Sequence, residues 1–230
     1  MKLLLFDIDG TLIKPIQSSR IHIEYVLGEL CGRSISTQGV SFSGRTDPQI
    51  FEETLHLAGF SPEETEDLIP IALKRYTAHA TYVSDEVESS DGVVELLEYL
   101  KPNKSVQLAL LTGNVRVTAY RKLAAARLDD LFPFGAFGCD HADRNKLPAI
   151  AASRALKHCG RTFVKDDIVI IGDSVHDITC GQGIGALSVA VATGYTSYQD
   201  LKSAEPDVLL QDLTNIDDFC HQAGIKSDAC

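Results

Sequence analysis

A chain of 230 residues with 44% hydrophobic side chains is long enough to bury a large core, as one domain or two. Its net charge of −11, with no cluster of Lys and Arg, argues against a nucleic-acid or anionic-membrane partner. Six scattered cysteines without a Cys-x-x-Cys pair read as free thiols of a reducing compartment, so a cytoplasmic location is expected. The apolar stretch at the N-terminus is too short for a signal peptide, and no segment suits a bilayer span.

The first element is a buried strand, Lys2-Leu3-Leu4-Leu5-Phe6, ending abruptly at Asp7-Ile8-Asp9-Gly10-Thr11. Side chains two apart on an extended chain share a side, so Asp7 and Asp9 are expected to look into one space. Like charges that close need a cation or a retained proton. A strand running into an Asp-Gly turn is the simplest alternative. A calcium loop fits less well, since Thr11 stands at its next acidic position.

From 15 to 90 only helices are expected. Ile23, Val26, Leu27 and Leu30 form one apolar stripe, and Ile69, Ala72, Leu73 and Tyr76 form another. Ser61-Pro62-Glu63-Glu64 is a helix start with a capping box, and Pro70 is expected to kink or split that helix. From 91 onward, apolar runs at 106–111, 168–171, 188–192 and 207–210 alternate with helical periods at 93–100, 116–127 and 148–158. Such alternation implies an α/β fold with a mainly parallel, Rossmann-like sheet. The expected division is a core of 1–14 and 91–230 with an inserted all-α cap of 15–90 over the carboxyl edge of the sheet; the tail after Ala223 is expected to fray.

Further polar groups follow the strands, where an open α/β sheet binds its ligands. Thr112-Gly113-Asn114 offers a hydroxyl, a glycine and helix-start N–H groups as a phosphate cradle, or simply an Asn cap after a tight turn. Lys146 precedes a helix and would read alone as a solvated lysine. Asp173 ends the run at 168–171 as Asp7 ends the first strand, and Asp177 lies one helical turn on. Together these acids supply oxygen ligands for a hard cation such as Mg²⁺.

The ordered set Asp7-x-Asp9-Gly10-Thr11, Thr112-Gly113-Asn114, Lys146 and Gly172-Asp173-x-x-x-Asp177 resembles the haloacid dehalogenase superfamily of phosphotransferases over the whole chain. Gly44-Arg45-Thr46-Asp47 is similar to a cap segment of its phosphoglycolate phosphatase and β-phosphoglucomutase branch. One departure is Lys146-Leu147-Pro148, where that branch has Lys-Pro.

The resemblance implies a Mg²⁺-dependent phosphatase of a small phosphorylated metabolite. In it Asp7 is the nucleophile, Asp9 the acid and base, and Lys146, Thr112, Gly113 and Asn114 the phosphate-binding set. Asp7, the Asp9 carbonyl and Asp173 would hold the metal, with Asp177 behind them. Arg45 would reach the substrate from the cap. The acid at Asp9 disfavours dehalogenation, because a halide leaves unprotonated. The alternatives are a phosphosugar mutase, for which His22 lies later than the cap histidine of such relatives, and a non-catalytic binding protein on the same fold. His176 and the loop residues Asp140, His141 and Asp143 border these motifs without an assigned role.

Overall fold

The computed structural model describes residues 1–79 and 87–226. Its sheet contains β1 (Lys2–Phe6), β2 (Val106–Leu111), β3 (Gly135–Ala136), β4 (Ile168–Gly172), β5 (Leu187–Val191) and β6 (Val208–Leu210). All pair in parallel, in the order β3-β2-β1-β4-β5-β6. The strands are apolar along their length because both faces are covered. Leu4, Phe6, Leu110, Val169 and Ile171 face a core closed by α4 (Val93–Leu100), α5 (Arg116–Ala125) and α9 (Ile216–Gln222). Leu3, Leu5, Ala109, Leu111 and Ile170 face a second core closed by α6 (Leu147–Cys159) and by Cys180 of α7 (Val175–Gln182). The short helix α8 (Tyr198–Ser203) connects β5 to β6.

Strand order reverses direction at β1, the kind of switch point where open α/β sheets bind ligands. Phe6 pairs with Ile171, and the Asp7 amide donates to the Ile171 carbonyl at 2.9 Å. The carboxyl ends of β1 and β4 therefore deliver Asp7 and Asp173 to the same crevice.

Between β1 and α4 lie α1 (Ser18–Cys31), α2 (Asp47–Leu57) and α3 (Pro62–Ala78), with no strand among the described residues. Their inner faces make a separate apolar cluster that includes Ile23, Val26, Leu27, Phe51, Leu55, Ala72 and Tyr76. The chain enters and leaves this helical segment along adjacent paths: Lys14 donates to the Glu88 carbonyl, and Ser90 to that of Leu12.

At the start of α3 the capping box forms as the sequence predicts, with Ser61 N donating to Glu64 at 2.8 Å and Glu64 N to Ser61 at 3.2 Å. Pro70 does not split α3, which runs unbroken from Pro62 to Ala78. Its ring lies on the exposed side, where water can satisfy the carbonyl that a proline leaves unpaired. The chain just after Ala223 is not frayed either. Ile225 is buried in the main core, and the Lys226 carbonyl accepts from Asn103 at 3.0 Å. Residues 227–230 of the expected frayed tail lie outside the described residues.

Candidate active site

Three buried carboxylates, those of Asp7, Asp173 and Asp177, each place an oxygen within 4.8 Å of the others. Asp7 and Asp173 end adjacent strands, while Asp177 reaches back from the first turn of α7. It is held there by a reciprocal cap: Ser174 N and Oγ donate to Asp177 Oδ2 at 3.1 and 2.6 Å, and Asp177 N donates to Ser174 Oγ. Arg144 lies among them, its Nη2 3.0 Å from Asp7 Oδ2 and hydrogen-bonded to Asp177 Oδ1. Asp177 and Asp7 outweigh the burial that would otherwise lower the Arg144 pKa, so it rises.

One guanidinium does not balance three acids. Burial pushes the Asp7 pKa up to about 6, opposed by Arg144 and reinforced by Asp177. Asp173 is pushed well above the usual carboxylate range by burial, then by Asp177 and Asp7. From other side chains, among the described residues, it receives only a long hydrogen bond from Thr11, at 3.4 Å. Buried, crowded oxygen donors short of positive charge are what a hard divalent cation satisfies, so the residues fit such an ion.

Asp9 does not join this trio. Regular pairing of β1 stops at Phe6, so strand alternation no longer dictates where the next side chains point. The Asp9 carboxylate turns to Lys122, whose ammonium lies 2.8 and 2.7 Å from its two oxygens. Asn114 Nδ2 donates to Asp9 Oδ2 at 2.7 Å and to Thr112 Oγ1 at 2.9 Å, and its Oδ1 accepts from Lys122 at 2.7 Å. Lys122 is buried on α5, while the Asp9 side chain is 36% exposed.

The loop before α2 closes the other side. Gly113 has no room for a side chain, because a Cβ there would run into the Arg45 carbonyl oxygen. Gly44, at φ +67°, lies flat against Ser174 and His176 in the same way. Asp47 then staples α2 to the loop after β2: its N–H donates to the Gly113 carbonyl at 2.8 Å and its Oδ2 accepts from Val115 N at 2.7 Å. Burial pushes the Asp47 pKa up to about 6, against the pull of Lys122 and the Val115 amide. Between these walls lies a cavity of about 80 Å³. Its floor includes Asp7, Asp9, Thr112, Gly113, Asn114 and Asp173, and its roof Ser19, Phe42, Ser43 and Arg45. Arg45 also pairs with Glu53 at 2.6 Å.

Lys146 is not among these residues. It is exposed at the end of a 3₁₀ turn (Arg144–Lys146), and Arg144, at the start of that turn, is the cation that enters the site. His22 is enclosed in the helical segment, its Nε2 3.3 Å from the Tyr76 carbonyl oxygen, and does not line the cavity. Asp140 pairs with Arg154, while Asp143 caps the 3₁₀ turn and donates its N–H to His141 Nδ1. His176 is exposed.

Comparison with known proteins agrees with this geometry. Residues 4–191 match the haloacid dehalogenase-like hydrolase family. The chain belongs to that family. It is 26% identical over 228 residues to pyrophosphatase PpaX of Halalkalibacterium halodurans, covering 97% of both chains. It is 25% identical over 225 residues to a phosphoglycolate phosphatase of Pseudomonas savastanoi pv. phaseolicola, covering 95% of this chain and 79% of that one. Its fold superposes on β-phosphoglucomutase from Clostridium difficile with a TM-score of 0.69, at 14% identity and 97% coverage of both. As a member of the haloacid dehalogenase-like hydrolases, it is a hydrolase, and the curated relatives it matches are named as phosphatases and pyrophosphatases. Among the described residues, no helix is long and apolar enough to cross a membrane.

Two residues at this site escape a sequence reading, Lys122 and Arg144. The period of α5 puts Thr118, Ala119, Lys122 and Leu123 on one buried face, and that period is the inward signal for Lys122. For Arg144 the signal is the departure at Lys146-Leu147-Pro148, which means that the basic residue need not stand in its usual place.

Proposed function

We propose that the enzyme is a Mg²⁺-dependent phosphatase of a small phosphorylated metabolite, acting through an aspartyl-phosphate. The observation that carries this reading is the division of two acids two residues apart. Asp7 stands in a buried carboxylate cluster, and Asp9 stands outside it, clasped by Lys122 and Asn114.

Asp7, the main-chain carbonyl of Asp9 and Asp173 would hold the ion, with Asp177 fixing Arg144 behind them. The ion supplies positive charge that offsets repulsion between a carboxylate and a phosphate dianion. Asp7 attacks phosphorus in line, and the bond to the leaving oxygen breaks as the bond to Asp7 Oδ forms. Asp9 gives its proton to the leaving oxygen, then takes one from the water that cleaves the intermediate. Arg144, not Lys146, supplies the charge beside Asp7. Among the described residues its buried Nε–H has no hydrogen-bond partner, which leaves it as a donor for a phosphoryl oxygen. The Thr112 hydroxyl, Gly113 and Asn114 complete the phosphate side.

Residues 15–90 act as a cap whose Arg45 meets the part of the substrate beyond the transferred phosphoryl group. The small cavity and that arginine suit a compact substrate with a second anionic group. Pyrophosphate and phosphoglycolate, taken from the relatives' names, are the first to try. The mutase alternative loses its cap histidine, since His22 is packed against Tyr76 away from the cavity. The test is a screen of phosphorylated metabolites with Mg²⁺, ranked by kcat/KM. Activity that persists in excess EDTA, or no turnover of any small phosphate ester or anhydride, would overturn the reading.

A further inference from the structure

We propose that Lys122 is a positioning residue for the reaction, holding the Asp9 carboxylate on the leaving-group side of the cavity. The inference rests on the reading of Asp9 as acid and base. An ammonium that is 2% exposed on a buried helix face beside Thr118, Ala119 and Leu123 carries a desolvation penalty that only close engagement offsets. Lys122 is engaged by charge-assisted hydrogen bonds to both oxygens of Asp9 and by Asn114 Oδ1. Asn114 closes the ring by donating to Asp9 Oδ2.

The two partners differ in exposure. Both border the cavity, but the Lys122 side chain is 2% exposed and the Asp9 side chain 36%. The carboxylate is held by a buried ammonium and keeps open surface at which a leaving oxygen or an incoming water can stand. Without the grip, Asp9 has several rotamers, and beside a loaded metal cluster the strongest pull on it is toward the ion. Lys122 keeps its carboxylate apart from the Asp7, Asp173 and Asp177 group. A purely structural ion pair would tie α5 to β1 as well, but nothing would require it to engage a side chain that lines the cavity.

The test is a double-mutant cycle with Lys122→Met, Asp9→Asn and the pair, each assayed on an alkyl and an activated aryl phosphate. Lys122→Met should lower kcat for the alkyl ester about 10²-fold with KM within about threefold, the scale of a misplaced catalytic group. For the aryl ester, phosphorylation should be nearly unchanged, and a burst in rapid-quench experiments should show that intermediate accumulates. In the Asp9→Asn background, Lys122→Met should cost nothing further, because a residue acting through Asp9 has nothing left to position. Lys122→Arg should recover part of the alkyl rate, and it also serves if the methionine variant folds poorly.

An undiminished Lys122→Met enzyme, equal loss on both esters, or full additivity in the cycle would overturn the proposal. Equal loss on both esters in Asp9→Asn alone would instead remove the acid/base role of Asp9. The cycle would still show whether Lys122 acts through that side chain.

Discussion

The Arg144 guanidinium lies 3.0 Å from the Asp7 carboxylate while it also holds Asp177, so a single buried cation links the end of β1 to the first turn of α7. Its side chain is 5% exposed, and neither acid has another cationic side chain in hydrogen-bond range among the described residues. The arrangement puts this residue, rather than the exposed Lys146, beside the buried acids of the crevice.

Arg144→Met should therefore reduce kcat/KM at least about 100-fold and destabilise the metal-free protein by about 3–5 kcal/mol at pH 8, the usual cost of orphaning a buried charge. The loss should shrink on acidification, as the acids it leaves behind take up protons. Urea melts at pH 5 and pH 8 in EDTA check both signs. A cost independent of pH would mean that the guanidinium serves packing alone.

Lys146→Ala should leave turnover within about threefold of wild type, as expected for an exposed side chain outside the cavity. Steady-state kinetics of the two single variants, Lys146→Ala and Arg144→Met, give the contrast directly. A large loss in Lys146→Ala would restore this lysine to the site.

Asp7→Asn should abolish turnover and keep the fold. The folded-state pKa of Asp7 is raised to about 6, above its value in the unfolded chain. Between about pH 4 and pH 6 the native state thus binds more protons than the unfolded one, and this carboxylate subtracts stability as pH rises through that window. The metal-free variant should melt no lower than wild type at pH 7 and gain on it as pH rises from 4 to 6. Residual phosphatase activity in a preparation free of contaminating enzyme would end the covalent mechanism.

Asp47 gives the same sign at a different place. Its pKa is also raised to about 6 by burial, and asparagine can keep the hydrogen bond from Val115. The stability difference between Asp47→Asn and wild type should grow from pH 4 to pH 6 and level off above it, at no more than about 3 kcal/mol. Chemical denaturation across that range measures it, and a flat difference would contradict the burial argument.

Metal binding should be proton-linked. With Asp7 at about 6 and Asp173 also raised, a divalent cation must displace protons below neutrality. Affinity for Mg²⁺ should fall as pH drops below about 6, and titration calorimetry in buffers of different ionisation enthalpy should register proton release. Chelation should silence the enzyme reversibly without unfolding it.

Much of this molecule is legible in its sequence, for identifiable reasons. Buried parallel strands are continuous apolar runs, so β1, β2, β4 and β5 announce themselves, and acids at the ends of β1 and β4 conflict with that setting. β3 is two residues, Gly135 and Ala136, too short for any pattern. Asp7 and Asp9 do border one cavity, as alternation predicts, but past Phe6, where pairing ends, spacing does not reveal that Asp9 turns to Lys122 instead of joining the acid trio. Pro70 does not split α3, because the effect of a helical proline depends on solvent access, which spacing alone does not reveal. Arg144 and Lys122 owe their importance to burial against distant acids, Lys122 against an Asp9 113 positions away. Nothing in their immediate neighbours in the chain states that.

The adjacency of β1 and β4 also dictates when the enzyme can come into being. Thr11 and Asp173 meet across 162 positions of chain, so a nascent polypeptide carries Asp7 and Asp9 long before it has the partners that make them useful. During that interval β1 has neither neighbour, and its apolar edges need shelter until β2 and then β4 emerge from the ribosome. The helical segment, whose own cluster is almost entirely complete by Tyr76, can organise first. The acid cluster is completed only in the last third of synthesis, so a chain cut before β4 would lack Asp173 and Asp177 however well its beginning had folded.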